Sequence, residues 1–194
     1  VTASSIGTQT VNLDSGAVNQ YIGAAFTFQQ NSGTADTITA LTLSEKNASF
    51  TATTGLTSAM IRYETNMVSC TASPTTITGT LAKSGVAFNA SDQAVFSALT
   101  SNIPVTVGAN YTCVYLFFNI DSSASGGKQI EMELSASGDF TLQNSTPKVG
   151  AYPVLLSGTT TIRPNVTGYT NSTEGTITNG AREGHSITIN GAGL

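Results

Sequence analysis

Charge is the scarcest property of this sequence. Charged residues make up 9% of its 194 residues, against about 25% in an average soluble domain. A disordered chain would combine few hydrophobic residues with a high net charge, whereas this chain is 39% hydrophobic with a formal charge of −4. Its seven Lys and Arg residues form no basic cluster that could displace counterions from phosphates. The composition therefore predicts a folded chain and argues against a nucleic-acid partner.

Long apolar runs are also missing. The longest, residues 114–118, is far shorter than the roughly 20 residues that a membrane-spanning helix needs, so we expect no membrane insertion. The start at Val1 shows no charged segment followed by an apolar one, which is typical of a mature chain rather than one with a signal peptide.

Residues that carry catalysis are few. The single histidine, His185, stands beside Glu183 and Ser186, but nucleophilic catalysis needs a nucleophile, a base and an orienting group that converge in space. One histidine and two cysteines are also too few for the four ligands of a zinc site. We therefore expect no enzyme activity, no catalytic residue and no metal.

Calcium is the alternative that the sequence leaves open. Asp36, Asp92, Asp121 and Asp139 fall at the ends of predicted strands, where loop carboxylates can gather around a calcium ion. No Asp-x-Asp spacing occurs, and aspartates in turns commonly bond their own backbone instead. We expect no cofactor, with calcium as the exception to test.

Tryptophan is absent, which weakens the case for a sugar-binding surface built on aromatic rings. Most Phe and Tyr residues fall at positions predicted to point inward. Tyr152 and Tyr169 are the candidates for exposed rings that could bind a glycan.

The two cysteines, Cys70 and Cys113, form an even pair that fits an oxidising compartment, and we expect them to form a disulfide. The alternative is two buried free thiols that pack as small hydrophobic groups. Six Asn-x-Ser/Thr sequons could accept glycans if the chain is secreted, and these Asn side chains would then face solvent. The sequon residues are Asn47, Asn89, Asn110, Asn144, Asn165 and Asn171.

Strand patterns recur along the chain, whereas no window sustains helical spacing. Strands are indicated by alternating apolar and polar residues, rich in β-branched and aromatic types, between Gly, Asn, Asp, Ser and Pro. The predicted strands are 8–13, 21–29, 36–43, 58–65, 76–81, 94–99, 111–120, 129–135 and 159–163.

Two neighbouring strands carry the clearest patterns. Residues 113–118 are apolar on both faces, which predicts a central strand. In residues 129–134, Ile130, Met132 and Leu134 alternate with two glutamates and should point inward. Residues 125–128, with the sequence SGGK, lack the spacing of a phosphate-binding loop, so we predict a hairpin turn between these two strands.

Short strands with Gly-rich turns and no crossover helices predict an all-β fold: an antiparallel immunoglobulin-like or jelly-roll β-sandwich with a C-terminal strand extension. The composition changes after Pro164, where large side chains become rare but strand patterns continue. We therefore divide the chain into a β-sandwich domain, residues 1–163, and a linker with a β-strand tail, residues 164–194. The tail is either a donor strand or the start of a further module.

Residues 21–163 resemble the β-sandwich repeat modules of large secreted bacterial surface proteins. The likeness rests on AFTFQQNSGTADTITALTL, VTVGANYTCVYLFFNIDSSASGGKQIEMEL and GTTTIRP. Its core is Gly108 and Tyr111 at the start of an aromatic strand that ends at Asp121, followed by Ala124, Gly127 and an alternating strand. The resemblance supports the fold more than any particular function.

The C-terminal stretch GHSITINGAGL, residues 184–194, is similar to the opening strand of immunoglobulin-like IPT/TIG modules. That family usually has Phe where this chain has Leu194. The resemblance implies either a truncated second module or a free strand.

Sheet edges are the functional feature that the composition indicates. Isolated sandwiches protect their edge strands with Lys, Pro and inward charges, and this chain has four Lys and five Pro residues. We therefore predict an extracellular structural subunit of a cell-surface filament or adhesin, which binds copies of itself by β-strand addition. The donor would be the tail or the N-terminal strand around Val11; the candidate tail segment is Ser186, Ile187, Thr188, Ile189 and Asn190. The alternative is a monomeric adhesin module that binds a glycan or a surface.

Overall fold

The structure is a computed structural model that describes residues 1–31, 33–70, 78–171, 175–177 and 187–192, the last three strands by their backbone alone. Nearly all of its regular structure is β. The strands are β1 Thr2–Gly7, β2 Asn12–Asp14, β3 Gln20–Gln29, β4 Asp36–Glu45, β5 Leu56–Met67, β6 Thr80–Val86, β7 Gln93–Phe96, β8 Ile103–Val105, β9 Tyr111–Ile120, β10 Gln129–Ile130, β11 Met132–Leu134, β12 Phe140–Leu142, β13 Val154–Leu155, β14 Thr160–Arg163, β15 Asn165–Asn171, β16 Gly175–Ile177 and β17 Ile187–Ala192. A one-turn helix, α1 Ala52–Gly55, precedes β5, and a 3-10 turn spans Ser137–Asp139.

The first sheet has five antiparallel strands in the order β1-β3-β9-β5-β6. The predicted central strand, residues 111–120, is confirmed as β9, with β3 and β5 on either side. Such a strand has neighbours along both edges and residues packed on both faces, which explains its continuous apolar run.

The second sheet is built around β4. Along one edge of β4 lie two strands in succession, β8 and β7. Along its other edge lie β12 and β11, and β13 pairs with the far edge of β11. Leu41 shows the arrangement directly, because Phe96 of β7 and Phe140 of β12 are both its register partners. A small third sheet, β10-β14-β2, contains a parallel pair, β14 with β2.

The main core lies between the first two sheets. Phe28 of β3 meets Phe140 of β12 with ring centroids 5.2 Å apart, so the two layers touch through their aromatic side chains. Inward residues of β9, namely Val114, Leu116 and Phe118, belong to the same buried cluster. These antiparallel layers are consistent with the predicted all-β sandwich.

A second apolar cluster lies on the outer face of the five-stranded sheet. It consists of Tyr21, Ala25, Cys113, Tyr115 and Phe117, and the three members from β9 alternate in sequence with its core-facing residues. The Tyr21 ring packs against Tyr115 and Phe117, with centroids 5.8 and 5.3 Å away. Strand β9 is therefore buried on both faces.

The predicted disulfide is confirmed. Cys70 and Cys113 are bonded, with their Cα atoms 5.6 Å apart. Cys113 is fully buried, and Cys70 packs against the same outer cluster, so the cross-link attaches the chain after β5 to the middle of the sheet.

The predicted hairpin between 111–120 and 129–134 is wrong. Strand β9 pairs with β3 and β5, whereas β10 pairs with β14, and β11 pairs with β4 and β13. The inward positions of Ile130, Met132 and Leu134 are nevertheless confirmed, since all three are buried. The alternation in residues 129–134 correctly predicted which side chains are buried. The pairing partners of β10 and β11 depended on the connection after β9, which leads from the five-stranded sheet to the other two sheets.

The predicted strand 8–13 is also wrong in its bounds, because the chain forms β1 before it and β2 at its end. Gln9 explains the interruption. It is 2% exposed, and its side-chain amide donates to the Ile130 carbonyl at 3.1 Å and accepts from the Met132 N–H at 3.3 Å. Gln9 thus bonds the backbone where β10 leaves one sheet and β11 enters another. The predicted strand 76–81 falls partly outside the described residues, and β6 begins at Thr80.

The C-terminal strands form a separate sheet in the order β16-β15-β17, with both outer strands antiparallel to β15. It begins at Asn165, directly after Pro164, where the composition of the chain changes. No helix among the described residues has the length and apolar character to cross a membrane.

We predict that Cys70→Ala with Cys113→Ala lowers the free energy of unfolding by about 4 kcal/mol, because the disulfide closes a loop of 43 residues in the unfolded chain. Urea denaturation followed by circular dichroism measures the loss. Cys70→Ala alone should cost nearly as much, since it removes the same cross-link. A loss below about 1 kcal/mol in both variants would show that the cross-link contributes little.

Candidate functional site

The outer edge of β1 is covered by the chain between residues 147 and 157. The Val149 N–H donates to the Val1 carbonyl at 3.0 Å, and the Ser5 hydroxyl donates to the Leu155 carbonyl at 2.6 Å. A strand from another molecule would have to displace these bonds, so this edge is closed.

Lysines protect other exposed backbone groups. The Lys148 ammonium donates to the Ser137 carbonyl at 2.9 Å and to the Phe140 carbonyl of β12, and lies 4.5 Å from the centre of the Phe140 ring. Lys83 on edge strand β6 donates to the Ala98 carbonyl at 3.1 Å. The expectation of poorly protected edges is therefore wrong for β1 and β12, because covering segments and well-placed lysines substitute for numerous charges.

The candidate donor segment lies in the C-terminal sheet. Residues Ile187–Asn190 belong to β17 and pair with β15 of the same chain; Ser186 lies outside the described residues. Around Val11, β2 pairs with β14, and the Val11 carbonyl accepts from the Thr161 N–H at 2.8 Å. Both candidate donors are thus paired within their own chain, and addition to another molecule stays a prediction.

The sequons differ in exposure. Asn89 and Asn144 are exposed, whereas Asn47 and Asn110 are half-buried. The Asn110 side-chain amide donates to Asn66 Oδ1 at 2.9 Å. Asn165 and Asn171 begin and end β15, but their side chains lie outside the described structure. Glycosylation stays a prediction.

Each of the four aspartates considered for calcium accepts hydrogen bonds from N–H groups of the protein itself. Asp92 accepts from the Ala52 N–H at 2.7 Å, and Asp139 from the Ala136 N–H at 2.8 Å. Asp121 accepts from the N–H and hydroxyl of Ser123 at 2.7 and 2.6 Å. Within the described ranges, no group of three or more His, Cys, Asp or Glu side chains is arranged to hold a metal ion.

Asp36 is the most buried of these aspartates, at 2% exposure. Its carboxylate accepts from the backbone N–H groups of Thr37, Asn144 and Thr146 at 2.7, 3.0 and 3.2 Å. Burial alone would raise the pKa of Asp36, but these bonds and the Thr146 hydroxyl outweigh it and hold the pKa at about 2. The carboxylate therefore attaches β4 to the loop after β12.

Glu45, at the end of β4, is a second buried carboxylate, with 6% exposure. Its Oε1 accepts from the N–H groups of Asn47 and Glu131 at 2.8 and 3.0 Å. Burial raises the pKa of Glu45 to about 7; those two bonds oppose the rise, and the charges of Asp92 and Glu131 add to it. Sequence patterns gave no sign of this group, because a glutamate at a strand end usually faces water.

The residues considered for catalysis and aromatic binding are only partly described by the structure. His185 lies outside the described residues, as does the side chain of Tyr169. Tyr152 is half-buried and packs against the main core, so its ring is not an exposed platform.

A cleft that sequence reasoning missed lies between two loops. One loop contains α1 and joins β4 to β5, and the other joins β9 to β10. The cleft has a volume of about 270 Å³. Its floor is apolar and buried, formed by Phe50, Gly55 and Ala124.

The rim of the cleft carries hydroxyl groups and one cation. The residues are Ser49, Thr51, Thr54, Ser123, Ser125 and Lys128, all of them exposed. The Asp121 N–H donates to the Gly55 carbonyl at 2.9 Å, which joins the two loops directly. The only sequence signal was the serine-rich SGGK turn, and it did not reveal the facing loop.

We predict that Glu45→Gln stabilises the fold at neutral pH. Because the folded pKa of about 7 exceeds the ordinary value of 4.5, Glu45 lowers the stability as pH rises from 4.5 through 7. Glutamine keeps an oxygen that can accept from both N–H donors, but it carries no charge. The free energy of unfolding of the variant should therefore be about 2 kcal/mol higher at pH 8, and its stability should no longer fall between pH 4.5 and 7. Denaturation between pH 4 and 8 measures it, and an unchanged slope would contradict the assignment. In Glu131→Gln, which removes a neighbouring charge, the stability should still fall as pH rises, but the fall should end at a lower pH.

We predict that Asp36→Ala destabilises the fold by about 2 kcal/mol or more, because three backbone N–H groups lose their acceptor. Since the folded pKa of about 2 lies below the ordinary 3.8, the wild-type advantage should be present above pH 4 and fade as pH falls through 2. Thermal unfolding of both proteins across this range measures it. A difference that does not depend on pH would show that the charge is not involved.

No protein-family model matches the chain, and no curated protein matches it in sequence. The resemblance of residues 21–163 to bacterial surface repeat modules, and of residues 184–194 to an IPT/TIG strand, therefore stays a prediction. The functional conclusion rests on the geometry of the chain itself.

Proposed function

We propose that this chain is a non-enzymatic, extracellular structural module that joins a cell-surface filament or adhesin by β-strand addition between neighbouring copies. The observation that carries the proposal is a contrast between sheet edges. In the sandwich, covering segments and lysines occupy the edges at β1 and β12, whereas within the described residues β16 and β17 each pair only with β15.

The stability of the sandwich supports a mechanical role. Strand β9 is buried on both faces, and the disulfide attaches it to the chain that follows β5. A disulfide is compatible with an extracellular protein, since such bonds persist in oxidising compartments. A low surface charge also suits a subunit surrounded by copies of itself, because it reduces the repulsion between them.

The C-terminal sheet supplies the means of association. Each outer strand of this sheet offers a row of backbone donors and acceptors to a strand from another chain. The two outer strands differ in sequence, so contact between β17 of one copy and β16 of the next joins two different surface patches. Such a contact is heterologous. Such contacts generate open filaments rather than closed dimers.

Proline substitutions in β17 test the proposal. Neighbouring residues in a strand direct their N–H groups to opposite sides, so either Thr188→Pro or Ile189→Pro removes an outward-facing donor. We expect the full wild-type chain to grow in mass with concentration by light scattering and to form filaments in negative stain. At least one proline variant should stay monomeric with an unchanged urea transition of the disulfide-linked sandwich.

Val95→Pro, on sandwich strand β7, is the matched control for a proline at an exposed strand position and should leave assembly intact if the protein folds. A wild-type chain that stays monomeric at all concentrations would refute the proposal. Filaments that persist in both β17 variants would exclude this strand as the contact.

A further inference from the structure

The cleft between the α1 loop and the β9–β10 loop has no part in the proposed assembly. Hydrogen bonds preorganise the wall that the α1 loop forms. The Thr54 hydroxyl donates to the Thr51 carbonyl at 3.0 Å, and the N–H of Gly55 donates to the same carbonyl at 3.1 Å. A concave site that is already ordered loses little conformational entropy when a ligand enters.

Three of the five hydroxyl groups on the rim are oriented as acceptors. Ser49 donates to Asn47 Oδ1 at 2.7 Å, Thr54 to a carbonyl, and Ser123 to the Asp121 carboxylate. A hydroxyl that has given its hydrogen to a neighbour retains its lone pairs. These three oxygens therefore select a ligand that brings hydroxyl donors of its own.

Lys128 adds the opposite requirement. Its ammonium group is the one charged side chain among the described residues that line the cleft, and it can only donate hydrogen bonds. A carboxylate is its natural partner, because bonds between ions are stronger than neutral ones. Asp121 does not line the cleft, and its carboxylate already accepts from the N–H and hydroxyl of Ser123.

The floor of the cleft limits its depth. Phe50 and Ala124 are only 7% and 4% exposed, so nearly all of the surface that a ligand would contact belongs to the polar rim. The volume of about 270 Å³ lies just below the roughly 300–1,000 Å³ that is typical of ligand sites, so the cleft fits one ring rather than an oligosaccharide.

We propose that this cleft binds a single acidic sugar residue, a hexuronate, with Lys128 on its carboxylate and the Ser and Thr oxygens on its hydroxyl groups. The site is independent of strand addition. It would allow an assembled module to hold an acidic glycan.

Saturation-transfer NMR with sodium glucuronate tests the proposal, because the signal is read from the ligand and serves for monomer and filament alike. We expect transfer to glucuronate with a dissociation constant in the millimolar range, roughly what one sugar ring provides. Glucose, which lacks the carboxylate, should bind at least about tenfold more weakly, and so should glucuronate to Lys128→Met. Inorganic phosphate at equal ionic strength should not displace glucuronate, since the dianion HPO₄²⁻ brings one hydroxyl donor for the three acceptors on the rim.

Two further variants keep the test decisive. Ser125→Tyr places a ring on the exposed rim and should abolish transfer, while Lys83→Met removes a lysine elsewhere and should leave it unchanged. Circular dichroism verifies that each variant is folded. No transfer to glucuronate, equal competition by phosphate, or equal losses in Lys83→Met and Lys128→Met would each overturn the proposal.

Discussion

The two-sided burial of strand β9 is the constraint on which the rest of the structure depends. Its even-numbered side chains, including Leu116 and Phe118, enter the core between the sheets, while Cys113, Tyr115 and Phe117 form the outer cluster. The backbone N–H and C=O groups of such a buried strand need partners on both edges, and β3 and β5 supply them. The disulfide then attaches the chain that follows β5 to this strand.

Polar groups in this chain act mainly within the fold, because so little charge is available. Gln9 bonds the backbone at the junction between β10 and β11, which belong to different sheets. The Asp36 carboxylate accepts from three backbone N–H groups, and the Glu45 carboxylate accepts from two. Lys148 covers the edge of β12. A few buried or well-placed polar side chains thus bond backbone groups that strand pairing leaves without partners. The contacts with partners that we propose involve the C-terminal sheet and the cleft near Lys128.

The candidate sites were predictable to different degrees. The donor segment was recognisable because alternation marks a strand, but its pairing with β15 was not, since a pattern does not name its partner. The cleft was invisible in the sequence. Its walls are more than 60 residues apart in the chain, and neither loop has a motif that implies the other.

The sequence by itself determined the β class, the disulfide and the strands near residues 21–29, 36–43 and 111–120, because local alternation and a single pair of cysteines leave few alternatives. Only the tertiary structure decided the pairing of β10 and β11, the closure of the β1 edge and the burial of Glu45. Those features arise from contacts between residues distant in the chain, and neither periodicity nor composition encodes such contacts.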